Sequence, residues 1–186
     1  MRKSMMMWRV VALRALASLV LTLGLVPSLT VERVMAAQLP GGVGSLVETF
    51  EDWVVACRAQ NGVVGCVLRQ EQSDGTTGRA MLAAELMPRG GRIDGALLLP
   101  FGLKLADGAG LSLGDAGPVQ RFPFSTCVPD GCIVPIRLDP VLVSAMKTAP
   151  VLKIQALTLA TGEALPMRLS LKGFSAALAR AAQLAP

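Results

Sequence analysis

Four cysteines constrain this 186-residue chain more than any other feature. Cys57 and Cys66 flank Asn61-Gly62, while Cys127 and Cys132 flank Val128-Pro129-Asp130-Gly131. Asn-Gly is the dipeptide that two-residue hairpin turns select, and Pro-Asp-Gly is equally strong turn chemistry. Four cysteines allow three connectivities. The turns favour the two local pairs, 57–66 and 127–132. Each such bridge is expected to stabilise the fold by about 2–3 kcal/mol. Zinc held by four thiolates is the competing use. However, eight and four residues separate the cysteines within each pair, whereas a zinc knuckle uses the closer CxxC. The absence of CxxC also argues against a thioredoxin-like redox site.

Stable bridges need an oxidising compartment, and the N-terminus offers a route to one. Arg2, Lys3 and Arg9 precede an apolar and small-residue run at 15–26, Pro27 ends it, and Val34-Met35-Ala36-Ala37 follows. That order is a secretory signal peptide over residues 1–37, removed after export. The run falls short of the roughly 20 apolar residues a spanning helix needs. Membrane contact is therefore expected only through this segment, before cleavage. Residues 38–47, with Gly41, Gly42 and Gly44, read as a flexible leader, and residues 48–186 as one domain with a real core. The periplasm is the expected location, with outer-membrane association or secretion as further options.

Export also changes the meaning of the charge. Of 18 basic and 13 acidic residues, five and one lie in the first 37, leaving 13 and 12, a net of +1. The high pI belongs to the targeting segment. No Lys/Arg cluster remains that would track phosphates, so nucleic acid is not an expected partner.

The mature part reads as strands joined by turns. Trp53, Val55 and Cys57 alternate within residues 50–58, and Val64, Cys66 and Leu68 within 63–70, the period-two pattern of a strand with one buried face. Further strands are expected over 79–87, in two short pieces within 93–105, and over 119–124, 133–138, 151–159 and 165–171. Turns are expected at Ser73-Asp74-Gly75, Asp107-Gly108, Gly114-Asp115 and Thr161-Gly162-Glu163. Asp139-Pro140 reads as a helix N-cap with proline at the first helical position, opening a short helix over 141–147. Phe174, Leu178, Ala181 and Leu184 recur at helical spacing, so a C-terminal helix is expected. Many short strands with frequent turns favour a mainly β fold, a two-layer antiparallel sandwich with one or two short helices.

Catalytic chemistry finds little footing. The chain has no His and no Tyr, which removes His-based nucleophile activation and the commonest metal ligand. No cofactor and no metal are expected. Ser144-Ala145-Met146-Lys147 matches S-x-x-K, but neither S-D-N nor K-T-G accompanies it. Gly41-Gly42-Val43-Gly44-Ser45 lacks the lysine of a phosphate loop and follows no strand. Glu51 and Asp52, as neighbours on a strand, point to opposite faces and cannot act as a carboxylate pair. Trp53 reads as core. The glycine-rich loop around Arg89, Gly90, Gly91 and Arg92 is a candidate partner contact through its two arginines.

The ordered set of motifs resembles the invasion-associated locus B family of exported alphaproteobacterial proteins. The matching stretches are Trp53-Val54-Val55-Ala56-Cys57, Cys66 and Leu99-Pro100-Phe101-Gly102-Leu103-Lys104-Leu105. They continue with Phe122-Pro123-Phe124-Ser125-Thr126-Cys127, Asp130-Gly131-Cys132 and Ser170-Leu171-Lys172-Gly173-Phe174. Ile133 departs from the pattern, where a small residue is expected. The resemblance implies an immunoglobulin-like β-sandwich at the cell envelope, and some members are linked to host-cell entry. It carries over no catalytic residues. The reading that follows is a non-enzymatic binding or accessory module whose partner is an unidentified envelope or host protein. A small periplasmic hydrolase using Ser144 and Lys147, or a lipid or peptide carrier, is the alternative.

Overall fold

Alternation and turn chemistry build most of the structure directly. The computed structural model describes residues 38–73, 75–76, 80–114 and 117–185. The expected signal peptide, Arg79, and the turn residues Asp74 and Asp115 lie outside them. The strands are β1 (Ser45–Phe50), β2 (Trp53–Gln60), β3 (Val63–Ser73), β4 (Ala80–Arg89), β5 (Arg92–Leu99), β6 (Ala109–Leu113), β7 (Gln120–Phe122), β8 (Thr126–Val128), β9 (Gly131–Leu138), β10 (Val151–Leu157) and β11 (Ala164–Ser170). Two helices, α1 (Pro140–Met146) and α2 (Phe174–Leu184), complete the set. Seven strands form one antiparallel sheet in the order β1-β2-β3-β4-β5-β9-β8, and four form a second in the order β11-β10-β6-β7.

The first five strands are a meander, each pairing antiparallel with the next, and two-residue turns join β1 to β2, β2 to β3 and β4 to β5. Asn61 and Gly62 both adopt positive φ, 51° and 76°, between β2 and β3, and Gly90 and Gly91 do so between β4 and β5. Such turns match the twist of the strands they join. Inner faces of both sheets feed one core that includes Trp53, Leu68, Leu97, Val134, Ile154 and Leu169. Helix α2 lies on this inner side, burying Phe174, Ala177, Ala181 and Leu184. Asp139 caps α1 by accepting from the Leu142 N–H at 2.8 Å, and Pro140 follows it. The antiparallel sandwich with a C-terminal helix, as read from the sequence, is therefore the fold observed.

Three expectations need correction. The second strand piece expected within 93–105 does not form: β5 runs to Leu99, and beyond Pro100 Leu103 makes a single bridge to Thr158 before a 3-10 turn at Leu105–Asp107. The leader drawn over 38–47 is structured: Leu39 is buried, Pro40–Gly42 form a 3-10 turn, and Ser45 opens β1. The glycines hid this strand, whose register is set by pairing along its whole length with β2. Glu51 and Asp52 are not strand neighbours. They form the two-residue turn between Phe50 and Trp53, with Glu51 at φ 52°. Both carboxylates reach one segment: Lys172 pairs with Glu51 at 3.0 Å, and the Ser170 hydroxyl donates to Asp52 at 2.6 Å. Gly173 lets α2 begin there, since it adopts φ 82° and a Cβ would run into the Phe50 carbonyl.

Side chains also close an exposed edge. Strand β11 ends the smaller sheet and would present unpaired backbone. The buried Gln70 amide donates to Ser170 O at 3.0 Å and accepts from Ser170 N at 3.1 Å, reproducing a ladder rung. Gln72 donates to Arg168 O at 2.8 Å, one rung along. The Trp53 indole N–H adds a second donor to Ser170 O at 3.0 Å. The two sheets are thus joined by hydrogen bonds as well as by apolar contact.

Candidate binding site at an arginine corner and a split in the sheet

The β4–β5 hairpin places Arg89 opposite Arg92 at its tip. The pairing of β5 with β9 sets Asp94 opposite Arg137. Alternation sends all four side chains to the outer face of the large sheet, away from the core. Arg137 bonds the Asp94 carboxylate at 2.9 Å, and Arg92 and Arg89 lie at 3.6 and 3.8 Å from it. Three guanidinium groups thus surround one carboxylate, and each is more than half exposed. Arg89 and Arg92 are legible in the sequence as part of a glycine-rich loop. Arg137 and Asp94 are not, because a pairing between strands separated by about 40 residues brings them in.

Beside this corner the large sheet comes apart. The β3–β4 ladder runs up to Leu68 opposite Leu86, next to an Arg69–Glu85 ion pair of 2.9 Å. Two residues further on, the register would set Cys66 opposite Pro88. Proline has no N–H to give a central ladder, and here the ladder ends. Residues 63–67 continue pairing only with β2, and residues 87–89 only with β5. The resulting cleft has a volume of about 550 Å³ and is lined by residues 63–67, by residues 87–90 and by Ala181 and Ala185 of α2.

The disulfides hold the neighbouring hairpins. Cys57 is joined to Cys66 and Cys127 to Cys132, each pair directly opposite in its ladder. The first bridge ties β3 to β2 along the cleft wall. Ser144 and Lys147 of the S-x-x-K match are both exposed at the end of α1, and no hydrogen bond joins their side chains among the described residues. Among the described residues no three His, Cys, Asp or Glu side chains gather as metal ligands, and no helix is long and apolar enough to cross a membrane.

Electrostatics tune two carboxylates. The hydrogen bond from Arg137 holds the Asp94 carboxyl below the ordinary aspartate range; desolvation opposes this, and the charges of Arg137, Arg92 and Arg89 add to it. On the inner side, Arg180 of α2 grips Glu48 of β1 with two bonds, 2.6 and 2.9 Å, and holds it below the ordinary glutamate range against desolvation. A carboxylate whose pKa is depressed on folding contributes stability that is fully present above its unfolded value, about 4. The contribution is lost as pH falls through the folded value. Stability should therefore fall below about pH 4. Glu48→Gln should lower stability at neutral pH and show a shallower acid limb, the two curves converging in acid. Denaturant midpoints across this range check it, and parallel curves would contradict it.

Comparisons with known proteins agree with this architecture. The sequence model of one family, described as Invasion associated locus B (IalB) protein, matches residues 53–182. An invasion protein B homolog of Brucella abortus (strain 2308) is 46% identical over 147 residues, covering 78% of this chain and 84% of that protein. Invasion protein B of Bartonella bacilliformis is 36% identical over 152 residues, covering 80% and 81%. The crystal structure of invasion associated protein b from Bartonella henselae superposes with a TM-score of 0.70 at 31% identity, covering 75% of this chain and 97% of that one. With both the sequence motifs and the fold in agreement, this chain belongs to the invasion associated locus B family.

Proposed function

We propose that the protein is an exported, non-enzymatic binding or accessory module of the cell envelope, and that it meets its protein partner at the arginine corner. One observation carries this reading: Arg89, Arg92 and Arg137 converge on the single carboxylate of Asp94 at an exposed hairpin tip. The surplus of positive charge attracts an acidic surface, and guanidinium forks give it geometry. Two disulfides support an oxidising compartment, for which the periplasm is the simplest assignment. The printed names of the relatives connect them with invasion, which makes a host protein one candidate partner for this chain.

In-cell crosslinking of the tagged protein in its native envelope tests the reading. Replacing Arg89 and Arg92 together by alanine should lower partner capture by about tenfold, with the remainder sensitive to salt. The fold should survive, because both side chains stand outside the core. Capture that is unchanged in the double variant would discard the corner as the contact.

A further inference from the structure

We infer that the split between β3 and β4 is a slot for an extended peptide strand that carries an acidic residue on its outward side. This deepens the binding-module reading and rests on it. Alternation of the ladder determines what the slot offers. Ala59 N donates to Gly44 O, so Ala59, and with it Cys57, turns its backbone groups toward β1. Cys57 and Cys66 are consequently a non-hydrogen-bonded pair, in keeping with their close Cα separation of 4.1 Å. Cys66 and Val64 therefore direct their N–H and C=O groups the other way, into the cleft. With Pro88 opposite, the regular ladder does not claim them. A peptide strand that enters here continues the sheet from β3, the recognition mode of strand addition.

The walls specify the peptide further. Gly65 is exposed and a Cβ there would meet nothing within 4 Å, so the outer face of this row is open to a side chain of a neighbouring strand. Arg58 sits opposite Gly65 on the β2 side, and the continued register sets Arg89 on the β4 side. An outward residue of the inserted strand in this row would lie between two guanidinium groups, which favours a carboxylate. The flanking inward residues would rest on Ala181, Ala185 and the wall near Cys66, where the small α2 side chains leave room. The next outward residue meets Val67 and Met87. The pattern is apolar–acidic–apolar–apolar, and about 550 Å³ suits roughly four such residues. The Cys57–Cys66 bridge keeps β3 in place as the template while β4 diverges.

The probes are two hexapeptides blocked at both ends, Thr-Val-Glu-Val-Val-Thr and its reverse, one for each strand direction. The protein, purified after export, is titrated with each by fluorescence anisotropy, and amide exchange is followed by NMR. One peptide should bind and slow exchange at Val64 and Cys66 by about tenfold or more. Glutamine in place of its glutamate, or N-methylation of its ladder amides, should each weaken binding about tenfold. Pro88→Val restores the missing donor, should zip Cys66 to residue 88, and should abolish binding while raising the unfolding temperature. Arg89→Glu should weaken binding without that rise. Binding that persists in Pro88→Val, binding that leaves the Val64 and Cys66 amides unprotected, or no binding of either peptide would overturn the slot. Dimerisation abolished by Pro88→Val would assign the slot to a second copy and overturn the peptide partner. Arg92 contributes to the corner but not to the slot, so capture lost in Arg92→Ala alongside a failed peptide titration would leave the corner standing.

Discussion

Trp53→Ala should destabilise the protein by about 4 kcal/mol, the cost of truncating a fully buried large aromatic side chain. Trp53 has no exposed surface, and it is held from three sides. Its ring packs on Phe174 of α2 with centroids 5.4 Å apart at a tilt of 59°. Its N–H reaches Ser170 O in the second sheet. Its backbone ends the β1–β2 hairpin, opposite Phe50. Truncation opens a cavity where both sheets and α2 meet. For a domain of this size the melting temperature should drop by about 8–16 °C. Trp53→Phe keeps most of the ring and leaves Ser170 O with its Gln70 donor, so about 1–2 kcal/mol is expected. Chemical denaturation of the three proteins checks the series. A loss below about 1 kcal/mol for alanine would show that Trp53 is not the junction of the layers.

Removal of both disulfides should be comparably severe, about 5 kcal/mol in total. The bridges close loops with sequence separations of 9 and 5. On the chain-entropy account the longer loop stabilises slightly more, with each near 2–3 kcal/mol. Cys57 and Cys132 are also buried, whereas Cys127 is exposed. The Cys57→Ala/Cys66→Ala pair should therefore be the more damaging, and it should also loosen β3 along the cleft. The two double variants and the quadruple variant, compared by denaturant unfolding and by cellular yield, test this. Equal stability of reduced and oxidised protein would contradict it.

Much of the fold was legible because local rules agreed with the tertiary result. Val64, Cys66 and Leu68 alternate in sequence and share the inner face of β3 in the structure. Asn61-Gly62 turns where the dipeptide requires, and Asp139-Pro140 caps α1. Legibility ended where long-range register decides. Strand β1 lay behind glycines and carries Leu46, Glu48 and Phe50 inward. The mixed character of that face blurs the period, and Glu48 is tolerated there because Arg180 arrives from α2. Glu51-Asp52 departs from the Asn-Gly and Asp-Gly turn pattern by placing the positive φ, 52°, on a glutamate, and its contacts with Lys172 and Ser170 tie it in place. For the site, Arg89 and Arg92 could be singled out from a glycine-rich loop. Arg137, Asp94 and the opening at Pro88 depend on which strands become neighbours, and nothing local in the sequence encodes that.

The proposed function requires contact at the corner and the adjoining cleft. A photo-crosslinking residue placed at Met87, on the cleft wall, and another at Val141, on the exposed side of α1, test it in living cells. The account predicts a discrete adduct from position 87 that disappears when Arg89 and Arg92 are replaced, and none from position 141. Equal adducts from both positions, or an adduct at 87 indifferent to the arginines, would contradict it.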